Sequence, residues 1–246
     1  MVRRLAATRW TRCQTPFRVK AWVCRLCDFS STGLRFRGIG AYGGFVPRPP
    51  RIFVADGIYH LAARGSDRQP IFAFDTDRNA FLERLSAVVE RYELACVAYC
   101  LMGNHYHLLI QTPDGRISAA MQELNGGYSR HFNRIHGRSA HLFRNRFFAR
   151  QVDDEAYLLT ACRYLVHNPV RAGLCREPGE WPWSSYRATA GIDPTPRFLN
   201  QTLIRDACGG HPNWRDRYRK FVADTPTPVE NMFHIRPNRH LTPRGV

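Results

Sequence analysis

Apolar and polar positions along residues 57–152 switch repeatedly between a period of two and a period near 3.6. Gly57–Ala63 reads as a short strand. Asp75-Thr76-Asp77 supplies an N-cap, and Phe81, Leu82, Leu85, Val88, Val89 and Tyr92 then follow at helical spacing. Leu94–Leu101 is a continuous apolar run, Gly103-Asn104 is a turn, and His105–Gln111 is a second strand, so the two strands form a hairpin. Pro113-Asp114-Gly115 ends it. Ile117, Met121, Leu124, Tyr128, Phe132 and Ile135 recur every three or four residues and predict a long amphipathic helix, and Phe147–Val152 closes the pattern as a strand. The order β-α-β-β-α-β predicts an α+β, ferredoxin-like unit with an antiparallel sheet.

Beyond it, acidic Asp153-Asp154-Glu155 opens a helix toward Val166 that Asn168-Pro169 stops. Trp181-Pro182-Trp183-Ser184-Ser185-Tyr186 and an amphipathic stretch at 214–222 complete a small, mostly helical extension, in which Trp183 reads as a core anchor. Three segments result: a basic extension over residues 1–46, the β/α core over 47–152, and the helical extension over 153–246.

Charge sharpens this outline. The chain of 246 residues carries 36 Lys+Arg against 20 Asp+Glu, a net +16 that points to a polyanionic partner, nucleic acid first and an anionic membrane surface second. Half of that excess lies in residues 1–45, which show no clear apolar period. That segment holds Gly38-x-Gly40-x-x-Gly43, a formal dinucleotide fingerprint, but Pro47, Pro49 and Pro50 forbid the helix that would receive a pyrophosphate. Cys24-x-x-Cys27 has no second pair to complete a zinc site, and Cys96 and Cys100, expected on one strand face, read as buried small hydrophobes. No run approaches the length of a membrane span, and the N-terminus has no secretory apolar region, so a reduced, cytoplasmic protein is expected.

Three features could carry chemistry. His105-Tyr106-His107 places two imidazoles on one strand face, where they could share a divalent metal or simply sit half-buried without one. Tyr128 lies in phase with Met121, Leu124 and Phe132, as a core aromatic would, yet Gly126-Gly127 precede it at a helix cost of about 1 kcal/mol each, which suggests close approach or flexibility. If its helix packs on the histidine-bearing face, the phenol comes near the metal and could serve as a nucleophile. From Arg130 to Arg150 there are six arginines, three histidines and no acid, interleaved with Phe132, Phe143, Phe147 and Phe148. That mix fits a nucleic-acid backbone and unpaired bases, or else a solvated helix face beside core phenylalanines.

Several ordered blocks together resemble a known family. The block at 101–110, Leu-Met-Gly-Asn-His-Tyr-His-Leu-Leu-Ile, resembles the His-hydrophobic-His (HUH) strand of the single-tyrosine transposases, and Asn125-Gly126-Gly127-Tyr128 resembles their tyrosine-bearing helix. Tyr59-His60 with Arg64-Gly65, His136-Gly137-Arg138, the block 141–147, Tyr164-Leu-Val-His-Asn168-Pro-Val-Arg171-Ala-Gly-Leu174 and Trp181–Tyr186 are similar to the REP-associated tyrosine transposases. The resemblance implies metal-assisted cleavage and rejoining of single-stranded DNA at hairpin-forming palindromic repeats. His105 and His107 would be ligands of Mg²⁺ or Mn²⁺. Tyr128 would form a 5′-phosphotyrosine, and Arg138, Arg144, Arg146 and Arg171 would hold the DNA.

Two departures stand out. Relatives carry a polar third ligand one turn beyond the tyrosine, where this chain has Phe132, leaving His131, Asn133 or a residue elsewhere. They also begin near Pro47–Ile52, which suggests translation starting at Val46. Competing readings are a hairpin-binding protein that does not cut, and a metal-dependent phosphohydrolase using water. Oligomeric state, monomer or homodimer, is open.

Overall fold

A computed structural model describes residues 51–152 and 154–224. The Cys24/Cys27 pair, the Gly38–Gly43 motif and Val46 lie outside the described residues. Strands β1 (Ile58–Arg64), β2 (Ala95–Leu101), β3 (His105–Gln111) and β4 (Phe148–Val152) alternate with helices α1 (Asp75–Arg91) and α2 (Ile117–Ile135). The strands form one antiparallel sheet in the order β2-β3-β1-β4. The β-α-β-β-α-β ferredoxin-like arrangement expected from the pattern is therefore present.

Each face of the sheet has its own core. On the first, Tyr59, Leu61 and Ala63 of β1 and Tyr106, Leu108 and Ile110 of β3 pack with Phe81, Leu85 and Val88 of α1 and Met121, Leu124 and Tyr128 of α2. On the second, Leu109 of β3 and Val97, Ala98 and Cys100 of β2 pack with later residues. These come from α3 (Glu155–Val166), α6 (Thr202–Ala207) and α7 (Trp214–Ala223), with Tyr186 of the one-turn helix α5 (Tyr186–Thr189) packed against them; the one-turn helix α4 (Asn168–Arg171) follows α3 in the chain. The stretch expected to form an appended extension is thus the layer that covers the sheet. Strands buried on both sides must be apolar on both sides, as β2 is.

Local chemistry sets the element ends. Asp77, three residues into α1, reaches back to accept from the amides of Ala73 (2.8 Å) and Phe74 (2.9 Å), so the cap comes from inside the helix rather than from its first residue. Asp154 caps α3 by accepting from the Tyr157 amide at 2.6 Å. Pro169 does not end the helical course as expected. It sits in the first turn of α4, where its missing N–H costs nothing.

Two expectations fail locally. Cys96 and Cys100 do not share a face: the ladder slips between Cys96 and Ala98, so Val97 is an extra residue and Cys96 joins the first core while Cys100 joins the second. Gly126-Gly127 bring no backbone close: a methyl group at Gly126 would meet only the Arg130 side chain at 3.5 Å, and one at Gly127 only that of Arg84 at 3.1 Å. Gly65, just past β1, is a glycine that close approach does require, since a methyl group there would overlap the Gln69 carbonyl.

Candidate active site

Because β3 alternates, Tyr106 points into the α1/α2 core while His105 and His107 point to the second face, with Leu109. The two imidazole rings stand 5.1 Å apart and nearly perpendicular. His60 joins them from β1, its Nε2 lying 2.9 Å from Nδ1 of His107 with the rings 5.1 Å apart and nearly parallel. All three rings are neutral at pH 7. Burial, then the Arg150 charge, lowers His60 to about 3; burial, then Arg64, lowers His105 to about 4. Burial, then its histidine neighbours and Arg171 and Arg64, holds His107 well below the ordinary range.

Tyr128 is on the other side of the sheet. Its helix packs against the wholly apolar face of β3, and the ring is fully buried among Phe72, Phe81, Phe132 and Phe143. Its hydroxyl donates to the Ile71 carbonyl at 2.5 Å. Burial, and then the Asp77 carboxylate, push its pKa further above the ordinary phenol value, so it is less ionised than a free tyrosine. The expectation that α2 brings Tyr128 to the histidines is corrected: a four-stranded sheet separates them. Asn125, in the same block, accepts from the Tyr106 hydroxyl at 2.5 Å and so ties α2 to β3.

The tyrosine that does meet the histidines is Tyr164, in the last turns of α3. Its ring packs edge-on against both His107 (5.9 Å) and His60 (6.1 Å). The Arg171 guanidinium lies 4.2 Å over the ring and donates to the Tyr164 carbonyl at 2.7 Å. Burial and the charges of Arg68 and Arg144 make Arg64 a weaker base, while the Tyr164 phenol acts on it in the opposite direction. The phenol therefore shares its surroundings with cations. Arg64 Nε is buried without a hydrogen-bond partner among the described residues, a donor that a phosphate oxygen would satisfy. Asn168 follows Tyr164 by one helical turn, and its amide nitrogen donates to the carbonyls of Tyr164 and Leu165 (3.0 and 3.2 Å). This Tyr-x-x-x-Asn spacing was legible in the chain and supplies the polar side chain that Phe132 does not.

Of the arginines predicted to hold DNA, Arg171 reaches the site directly, and exposed Arg144 borders it, its amide donating to the Arg64 carbonyl at 3.0 Å. Arg138, beyond the end of α2, donates to Gln69 at 2.5 Å, and Arg146 is exposed on the segment before β4. Arg64, Arg150 and His60 complete the surroundings; their blocks were legible in the sequence, but nothing there assigned them a role in the site.

The donor set suits a metal. Asn104 Oδ1 stands 2.7 Å from His105 Nδ1, while its Nδ2 donates to the Arg68 carbonyl at 3.1 Å. An amide oxygen only accepts, so His105 carries its proton on Nδ1 and keeps the Nε2 lone pair free. His107 has Nδ1 in contact with His60 Nε2, either ring being able to donate. Among the described residues no group of three or more His, Cys, Asp or Glu is arranged to hold a metal ion, so His105 and His107 stand as two donors without a third of those types.

The chain is similar to known proteins in sequence and in fold. Residues 53–168 match the family described as "Transposase IS200 like", a span that ends on Asn168. A putative REP-associated tyrosine transposase of Haemophilus influenzae (strain ATCC 51907 / DSM 11121 / KW20 / Rd) is 26% identical over 174 residues, covering 66% of this chain and 93% of that protein. The solved structure of a REP-associated tyrosine transposase bound to a REP hairpin has the same fold, with a TM-score of 0.51 at 16% identity over 64% of this chain and 93% of the other. Residues 53–168 are thus similar to the IS200-like transposases, and the chain resembles a REP-associated tyrosine transposase in sequence and another in fold.

Proposed function

We propose that the protein is a transposase-type nuclease that binds hairpin-forming single-stranded DNA and cleaves and rejoins it through Tyr164. The observation that carries this reading is the packing of Tyr164 against His107 and His60, with Asn168 one turn away. His105 and His107, with Asn168 as the candidate third ligand, would hold Mg²⁺ or Mn²⁺; imidazole favours Mn²⁺. Such a cation would polarise the scissile phosphodiester. The protein's own residues do the rest. Arg64 and Arg171 stabilise the phenolate and the phosphate oxygens. The Tyr164 hydroxyl gives up its proton as its oxygen attacks phosphorus, the P–O3′ bond breaks, and the departing 3′ oxygen takes up one proton as a free 3′-OH, with no net proton gained or lost. The phosphotyrosine keeps the energy of the phosphodiester, so a second 3′-OH can attack it, form the new P–O3′ bond and release Tyr164. A relative named as a transposase in Haemophilus influenzae and a solved relative bound to a REP hairpin support a cytoplasmic place of action.

The test is a hairpin oligonucleotide with single-stranded flanks, incubated with Mg²⁺ or Mn²⁺ and resolved on denaturing and native gels. Wild type gives a covalent adduct that EDTA and Tyr164→Phe abolish while the native shift remains. Shifts with no adduct in wild type mean a hairpin-binding protein that does not cut. Cleaved strand without adduct means water is the nucleophile.

A further inference from the structure

We propose that His60 is a positioning residue for His107: it accepts the Nδ1 proton of His107 and thereby turns the Nε2 lone pair toward a divalent cation. The inference rests on the reading of His105 and His107 as ligands and adds a residue from another strand to that site.

A neutral imidazole has one donor and one acceptor nitrogen, so a contact of 2.9 Å between two ring nitrogens has two arrangements. In the first, His60 donates from Nε2 to Nδ1 of His107. His107 then carries its own proton on Nε2 and has no lone pair to offer. In the second, His107 donates from Nδ1, His60 accepts at Nε2 and carries its own proton on Nδ1, and His107 can bind a cation through Nε2. The second arrangement matches His105, whose Nδ1 proton is placed on Asn104 by an amide that the Arg68 carbonyl has already oriented. Both histidines of the pair then present the same nitrogen.

The geometry holds His60 to this role. It lies on β1, beside β3 in the sheet. Ala62 stands opposite His107 and Leu109 opposite His60, so the contact runs diagonally across one sheet face. The His60 ring is fully buried, with Phe148 at 5.8 Å and Tyr164 at 6.1 Å as walls. It acts through His107 and needs no contact with DNA.

Two measurements on the metal-free protein test this. Long-range ¹H–¹⁵N correlation spectra at neutral pH report which nitrogen of His107 is protonated, and Mn²⁺ titration reports affinity without any turnover. The expected wild-type result is a protonated Nδ1 on His107. His60→Leu should mix the tautomers and weaken Mn²⁺ binding by about 10–100-fold. His60→Gln, whose amide oxygen can stand near the Nε2 position, should recover most of that affinity, which a merely structural role would not produce. Protonation of His107 on Nε2 in wild type, or wild-type Mn²⁺ affinity in folded His60→Leu, overturns the proposal. If His60→Leu does not fold, the wild-type spectrum still decides. The underlying reading fails separately, and visibly, if His107→Ala binds Mn²⁺ as tightly as wild type.

Discussion

Replacing Tyr128 with phenylalanine should weaken the fold and spare the chemistry. The substitution removes one oxygen and leaves the ring among Phe72, Phe81, Phe132 and Phe143. What is lost is the 2.5 Å hydrogen bond to the carbonyl of Ile71, a fully buried residue. An orphaned buried acceptor costs about 1–3 kcal/mol. For a folded unit of this size, each kcal/mol lowers Tm by about 2–4 °C. The predicted loss is therefore roughly 2–12 °C, read by thermal denaturation of the metal-free protein. Ile71 belongs to the segment whose amides, with that of Phe72, donate to Gly103 in the β2–β3 turn, so Tyr128 clamps α2 to the site's supporting loop. At a temperature where the variant is folded, the covalent DNA adduct should persist. Loss of the adduct in a variant with unchanged Tm would refute the reasoning, because it would make the phenol oxygen chemical rather than structural.

Other consequences follow from the same geometry. Gly126→Ala should stabilise the protein by about 0.5–1 kcal/mol, since a mid-helix glycine has room for a methyl group; chemical denaturation that shows destabilisation would mean the helix needs the glycine. Between pH 6.5 and about 4 the unfolded chain takes up protons on His60, His105 and His107 that the native state refuses. Stability should thus be full above pH 6.5 and fall with pH below it, by up to about 1.4 kcal/mol per pH unit for each histidine; a flat profile across that window would show the rings are not buried neutral. Arg144→Gln should reduce the salt-dependence slope of hairpin binding by about one. Arg187→Gln, whose guanidinium is already held by Asp193 at 2.6 and 2.8 Å, should leave the slope unchanged, and equal effects would contradict the assignment.

Much of the architecture was legible in the chain. The strand and helix periods placed β3 at 105–111 and α2 at 117–135 as observed, and the order of elements gave the sheet. What periodicity leaves open is which side of a sheet a helix covers. A clue was present: Tyr106, Leu108 and Ile110 make one side of β3 wholly apolar, while His105 and His107 interrupt the other. An amphipathic helix such as α2 buries its stripe against the unbroken side. The choice of Tyr128 followed from the two glycines before it, the resemblance of Asn125–Tyr128 to a tyrosine-bearing helix, and the condition that α2 pack on the histidine-bearing face. Tyr164 lies 57 residues beyond His107 and reaches it only because α3 folds back over the second face. The bulge at Val97 was equally hidden, since one inserted residue reverses every later side chain of β2 and leaves no mark in composition.

The central claim is the identity of the nucleophile, and one measurement reaches it. Wild-type protein is trapped on a hairpin substrate with divalent metal, digested with nuclease and protease, and the peptide carrying the residual nucleotide is sequenced by mass spectrometry. The phosphotyrosine should lie on Tyr164, in the peptide that runs into His167-Asn168-Pro169. A modified Tyr128 would contradict the account, because its hydroxyl is sealed behind the sheet from both histidines.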